Sequence, residues 1–116
     1  FAADRSNPKL AERYDWLSHS ILRFHSGTVN TVRAYPVDVA VCGEMGGRQL
    51  EAMALIGLGI RRLSITPASV GPIKQMVRTL DVAALEQAMI GWLASPPPDL
   101  RTAVFDWAIA QNVALD

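Results

Sequence analysis

The stretch 37–47, VDVAVCGEMGG, restricts the fold more than any other part of this sequence. Val37, Val39 and Val41 are β-branched and alternate with Asp38 and Ala40, the pattern of a short strand. The strand runs into Cys42-Gly43-Glu44 and then Gly46-Gly47, after which LEAMALIGLG is almost unbroken apolar sequence. Strand, glycine-rich turn and buried helix together make a βα unit. In parallel α/β proteins the turn beyond a strand's C-terminal end is where ligands sit. The one cysteine of the chain lies in that turn, beside a carboxylate. A single cysteine is commonly an inert small core residue, but its place at a strand end makes Cys42 a candidate catalytic group.

The rest of the composition narrows the options. The 116 residues, half of them hydrophobic, are enough for one small core. A formal net charge of zero removes the electrostatic case for nucleic-acid binding, which needs a basic excess on one face. One cysteine cannot form an internal disulfide, so a reducing cytoplasm is the expected setting. The longest apolar stretch, 50–60, is too short to span a bilayer, and no secretory signal is recognisable. The opening FAADRSNPK has no initiator Met and is that expected of a piece of a longer protein.

Taken in order, residues 1–15 begin apolar and become charged, with Asp4 to Pro8 as a polar turn. Pro8 disfavours helix at Asn7 and can open a short helical turn through Leu10 and Arg13. If Phe1-Ala2-Ala3 is the end of a strand, Arg5 also stands just beyond a strand's C-terminal end. Otherwise Asp4 and Arg5 are a solvated surface pair. Ser18 is expected to cap a helix reaching about residue 34, with Ile21, Leu22, His25, Val29 and Val32 at helical spacing. His19 and His25 are not at metal-ligand spacing on it and read as surface or boundary side chains.

After the strand, 49–58 reads as a helix apolar on nearly every side, with Gly59 suited to its left-handed C-terminal position. A second strand is expected over 60–65, with Arg61 and Arg62 solvated at its opening end. Ser69 is expected to cap a third helix with the stripe Ile73, Met76, Val77 and Leu80. Asp81 caps a fourth, turning Val82, Leu85, Met89 and Leu93 inward with Trp92 on a flank. Pro96-Pro97-Pro98-Asp99 is a stiff break, and a last helix carries Leu100, Val104, Trp107 and Ala108.

Helices alternating with strands imply parallel strands joined by crossovers. Two or three strands cannot complete a parallel sheet, whose faces and edges must be covered. The expected fold class is therefore α/β, as a fraction of a larger domain. The pattern by itself allows the end of a (β/α)8 barrel or of a doubly wound sheet.

Three motifs decide between those. The runs FAADRSNP, CGEMGG and LIGLGIRRLSITPASVGPIKQMVR, in this order and spacing, resemble the C-terminal barrel of Enzyme I of the bacterial phosphotransferase system. That is the phosphoenolpyruvate-protein phosphotransferase family. The resemblance covers essentially the whole chain, although the final helices match only in character. The AADR-x-NP start and the CGEM form are most similar to its nitrogen-regulatory branch.

The resemblance implies that residues 1–116 are an incomplete single domain, the C-terminal fragment of a (β/α)8 TIM barrel. Such a barrel binds phosphoenolpyruvate and Mg2+ at the C-terminal ends of its strands, passing the phosphoryl group to a histidine of an N-terminal domain. From there it goes on to a small histidine phosphocarrier protein. The metal ligands of the family would lie upstream of Phe1, so none is assigned within this chain. Arg5 takes the place of the family arginine that contacts the phosphoryl group. Cys42 takes the place of the cysteine that gives a proton to the methylene carbon of enolpyruvate.

The chemistry agrees with those placements. Phosphoryl transfer rests on positioning and charge neutralisation, for which arginine offers a forked donor. The departing enolate must take a proton on carbon, which a thiol beside flexible glycines can supply.

The sequence departs from the family pattern at Arg48, where Enzyme I usually has Asp. An Asp would favour the helix N-terminus and Arg48 opposes it, which puts the local turn geometry in question. CGExGG also resembles the turn of pyruvate phosphate dikinase and its relative phosphoenolpyruvate synthase, although ITPASVGPIKQMVR fits the dikinase less well. The non-enzymatic alternative is a structural or oligomerisation piece, since the family's barrel makes its homodimer. The isolated chain is expected to be inactive. With strands hydrophobic on both faces and open edges, it is also expected to be a dimer or larger, unless the terminal helices with Trp92 and Trp107 close the open side.

Overall fold

The computed structural model describes residues 7–9 and 15–116. The order is helix α1 (His19–Val32), strand β1 (Ala40–Cys42), a single 3-10 turn (Met45–Gly47), helix α2 (Gln49–Gly57) and strand β2 (Arg62–Ser64). Helices α3 (Pro67–Arg78), α4 (Val82–Ala94) and α5 (Leu100–Ala110) follow. The structure is mixed α/β and mostly helical, with β1 and β2 paired in parallel through α2.

Local chemistry sets most helix starts. The Ser18 hydroxyl accepts from the Ile21 N–H at 3.3 Å. The Asp81 carboxylate accepts from Ala84 N–H and that of Asp99 from Thr102 N–H, so three helices begin on a side-chain cap. The start of α3 differs from the sequence expectation. Its cap is Thr66 with Pro67 in the first turn, and Ser69 lies inside the helix, its hydroxyl 3.1 Å from that of Thr66. Proline's fixed φ suits the first turn, which moves the start of α3 ahead of Ser69.

The strands are shorter than the pattern suggested. The expected strand from Val37 is confined to Ala40–Cys42, and that over 60–65 to Arg62–Ser64. The register pairs Ala40 with Arg62, Val41 with Leu63 and Cys42 with Ser64. Among the described residues no strand lies opposite 37–39, and Val37 donates its N–H to Tyr35 O in a turn. Nor are the strands hydrophobic on both faces. Val41 and Leu63 lean on the core, whereas Ala40, Cys42, Arg62 and Ser64 form an exposed and largely polar face.

The core is built on α2. Seven of its nine residues are buried, and it touches each of the other four helices. Leu22 and Val29 of α1, Ile73 and Met76 of α3, Leu85 and Met89 of α4, and Val104 and Ala108 of α5 close around it. Gly59 has φ +104°, as expected where the helix ends. Trp92 and Trp107 meet edge to face, 6.4 Å apart, where α4 and α5 pack. They pack with the helices and leave the exposed face of the sheet uncovered.

Among the described residues one charge is buried within this core. Glu51, 2 % exposed, bonds the Arg101 guanidinium of α5, whose Nη2 also donates to Asp15 at 2.9 Å. Burial disfavours the guanidinium charge, but the hydrogen bonds that it donates to Glu51 and then Asp15 outweigh this and raise the Arg101 pKa above its ordinary value. Arg101→Met leaves a buried carboxylate without its cation. It is expected to cost about 3 kcal/mol, the lower end for such pairs because Arg101 is partly exposed. Urea unfolding reads this directly, and a loss below about 1 kcal/mol would show the pair to be a minor determinant.

Candidate active site at the strand ends

Cys42 is the last residue of β1, and its thiol is free and exposed. Alternation explains the exposure, since Val41 faces the helices and Cys42 therefore faces the other way. Gly43 follows with φ +99°, a conformation that a residue with a Cβ rarely adopts. The chain then winds through the Met45–Gly47 turn, with Gly47 N–H bonded to Glu44 O at 3.1 Å and Arg48 N–H to Met45 O at 3.4 Å. Met45 and Gly46 are buried against the sheet, and a Cβ on Gly46 would sit 3.4 Å from side-chain atoms of Leu63 and Ile65. The turn thus leaves Cys42 and Glu44 outside while its own floor is packed.

Across the ladder stands Ser64, level with Cys42 on the same exposed face. No local pattern singles out Ser64, because its proximity to Cys42 exists only through strand register. Thr66 and Ser69 lie in the neighbouring strand-end turn with their hydroxyls in contact. The strand ends therefore gather a thiol, a carboxylate and three hydroxyl groups along one rim of the sheet.

Arg5, the expected substrate-binding residue, lies outside the described residues, as does the reading of Phe1-Ala2-Ala3 as a strand end. Arg48 caps α2 in extended backbone, exposed, and supplies no side-chain bond to the helix. Arg61 and Arg62 lie at the other end of the strands, as expected of a solvated pair. Arg61 bridges to Glu86 at 2.6 Å and Arg62 to Asp38 at 3.2 Å. A cleft of about 300 Å³, with Arg33, Tyr35, Asp38 and Arg62 among its walls, opens at that end, and Cys42 does not line it. His19 reaches the Leu93 carbonyl at 3.2 Å, and His25, half-buried, has its pKa lowered by burial. Neither histidine belongs to the strand-end rim.

Among the described residues no three His, Cys, Asp or Glu side chains are grouped to hold a metal ion. These described residues by themselves do not make a Mg2+ site. Among the described residues, too, no helix is long and apolar enough to cross a membrane.

Comparison with known proteins shows the family of the chain. Residues 1–82 match the family described as PEP-utilising enzyme, PEP-binding domain. Phosphoenolpyruvate-protein phosphotransferase of Borreliella burgdorferi is 34% identical over 105 residues, covering 90% of this chain and 18% of that protein. A multiphosphoryl transfer protein of Xanthomonas campestris is 37% identical over 86 residues, 74% of this chain and 10% of that protein. The phosphoenolpyruvate-dependent phosphotransferase system protein of Escherichia coli is 36% identical over 85 residues, 73% of this chain and 11% of that protein. The chain belongs to the family of PEP-utilising enzymes and matches its PEP-binding domain. It spans between a tenth and a fifth of the length of these relatives, the first of which is named as an enzyme.

The turn geometry gives a direct prediction. Gly43→Ala places a Cβ at positive φ and is expected to destabilise the chain by about 1–2 kcal/mol. Chemical denaturation measures it, and a loss below about 0.5 kcal/mol would mean that the turn relaxes to another conformation.

Proposed function

We propose that this chain is the C-terminal part of the phosphoenolpyruvate-binding barrel of a phosphoenolpyruvate-protein phosphotransferase, and that Cys42 is its proton donor to carbon. The observation that carries this reading is the free, exposed Cys42 at the C-terminal end of β1, in a chain of the PEP-utilising family. The two-sided chemistry of the sheet supports the barrel. In a (β/α)8 barrel helices cover the outer face of the strands while the other face looks into the barrel and upward to the substrate. Here Val41 and Leu63 meet the helices, and Ala40, Cys42, Arg62 and Ser64 occupy the opposite face.

The reaction divides into two chemical tasks. The phosphoryl group leaves phosphoenolpyruvate for a histidine elsewhere in the enzyme, which breaks the P–O bond and leaves the enolate of pyruvate. Arg5, at the edge of the matched region, neutralises charge on the phosphoryl oxygens through its forked donors. The S–H bond of Cys42 then breaks toward the methylene carbon, the carbon–carbon double bond supplies the new C–H bond, and the enolate oxygen closes to a ketone. Sulfur keeps its electron pair as thiolate. Gly43 and the exposed rim leave room for the substrate to approach the thiol.

The same reading assigns a small histidine phosphocarrier protein as the acceptor of the phosphoryl group, a homodimer as the assembled form and the cytoplasm as the setting. Mg2+ would be held by groups beyond this chain. The AADR and CGEM forms favour the nitrogen-regulatory branch.

In the full-length protein, Cys42→Ala is expected to lower pyruvate formation by on the order of 10²- to 10⁴-fold, the usual worth of a positioned general acid. Phosphoryl exchange onto the protein histidine survives in part, because other groups carry that step. Ordinary pyruvate release by the alanine variant would remove Cys42 from the mechanism. For Arg5, the lysine variant is the sharper probe. Arg5→Lys keeps the charge and loses the fork, so turnover is expected to fall about tenfold or more. Wild-type turnover and substrate affinity would instead make Arg5 one half of a surface ion pair with Asp4.

A further inference from the structure

The start of α2 carries the Cys42 turn, yet it lacks the side-chain cap that begins α1, α4 and α5. Backbone bonds link the two. Gly47 N–H reaches Glu44 O, Arg48 N–H reaches Met45 O, and Ala52 N–H reaches Arg48 O at 2.8 Å. The position of Glu44, two residues from Cys42, therefore follows the first turn of α2. Two long-range polar ties hold that turn. On one side Gln49 donates to Pro72 O at 3.0 Å and accepts from Asp116 N–H at 2.9 Å. On the other, Glu51 bonds Arg101, which simultaneously grips Asp15.

We infer that Arg101 is a positioning residue for the Cys42 turn: by holding Glu51 and Asp15 together it fixes the start of α2, from which residues 43–48 are suspended. This inference rests on the reading of that turn as the reactive site and adds to it a residue of the last helix. Packing alone does not account for the arrangement. A buried ion pair is generally no more stabilising than apolar side chains of the same volume, so two such side chains would join α2 to α5 equally well. What they would not provide is direction. The guanidinium nitrogen shared by two carboxylates sets both the height and the rotation of the first turn of α2. Glu51 is the one charged side chain buried among the described residues, and it sits in that turn.

The test uses the chain with Glu51→Met and Arg101→Met together, a pair that removes the tie without leaving a buried charge. Amide hydrogen exchange is followed over the whole chain, with thermal unfolding beside it and iodoacetamide alkylation of Cys42, the sole thiol, as a second local reading. Cooperative unfolding is expected to persist. Exchange over residues 43–50 is expected to rise on the order of fivefold to tenfold, as for loss of one charge-assisted hydrogen bond, while β2 and α4 stay near wild type. Cys42 alkylation changes in step with the 43–50 amides. Arg101→Lys, whose ammonium has donors for both carboxylates, should remain near wild type.

Unchanged exchange over 43–50, or an acceleration spread evenly through the chain, would overturn the inference and leave Arg101 as a contributor to overall stability only. Should the double variant fail to fold, Glu51→Gln keeps the shape and an acceptor oxygen, and the same local acceleration, smaller in size, is required of it. None of these readings involves phosphoenolpyruvate. An active Cys42→Ala enzyme would therefore defeat the proposed reaction without bearing on the role of Arg101.

Discussion

The constraint on which the rest depends is the burial of α2. A nine-residue helix is too short to persist on backbone hydrogen bonding alone, and its sequence offers no polar face to water. It forms because other elements enclose it. The β pair packs on the Met45–Gly47 turn that leads into it, with Val41 and Leu63 against the core, and the remaining helices close around it. Each enclosing element contributes a narrow apolar stripe: Leu22 and Val29 from α1, Leu85 and Met89 from α4, Val104 and Ala108 from α5. The stripes are complementary to one central rod, and so the parts of the chain that carry them are brought together.

That enclosure divides the labour between the two faces of the sheet. Val41 and Leu63 pack against the core, and Ala40, Cys42, Arg62 and Ser64 are exposed. Period-two alternation allows the division within three residues, since Val41 is anchored and Cys42 beside it is not. The glycines then let the chain leave the strand steeply. With Gly43 at φ +99°, the backbone turns away immediately after the thiol instead of covering it. The floor beneath the exposed thiol is packed, with Met45 and Gly46 buried against Leu63 and Ile65.

Much of this was legible in the sequence because the signals were local. Ser18, Asp81 and the Pro96–Asp99 break mark helix starts through chemistry contained in a few residues. The apolar run after CGEMGG reads correctly as a buried helix. Strand lengths were less legible: Val37 and Val39 have the right residue types, but a strand extends only where a partner lies opposite, and among the described residues β2 offers three. The same holds for Ser64, whose place beside Cys42 is a matter of register. Glu51 left a fainter trace. A single acid inside LEAMALIGLG implies a cation within reach, but nothing local identifies that cation as Arg101, fifty positions away.

Arg48 shows how such long-range groups offset a local mismatch. The sequence places a cation at the N-terminal end of α2, where the helix dipole disfavours it by roughly 0.3–1 kcal/mol when exposed. The structure shows that the turn forms nevertheless. Arg48 stays exposed in extended backbone, where solvent screens its charge, and its carbonyl still accepts the first helical bond from Ala52. The acid that the dipole favours is present three residues on, at Glu51, within the first turn and out of water. A charge shielded from solvent interacts more strongly than one exposed to it. The buried Glu51 therefore governs the electrostatics of this helix start and the exposed Arg48 does not. The guanidinium that pairs with Glu51 there comes from α5, so the terminal helix and the turn after β1 are linked by electrostatics as well as by packing.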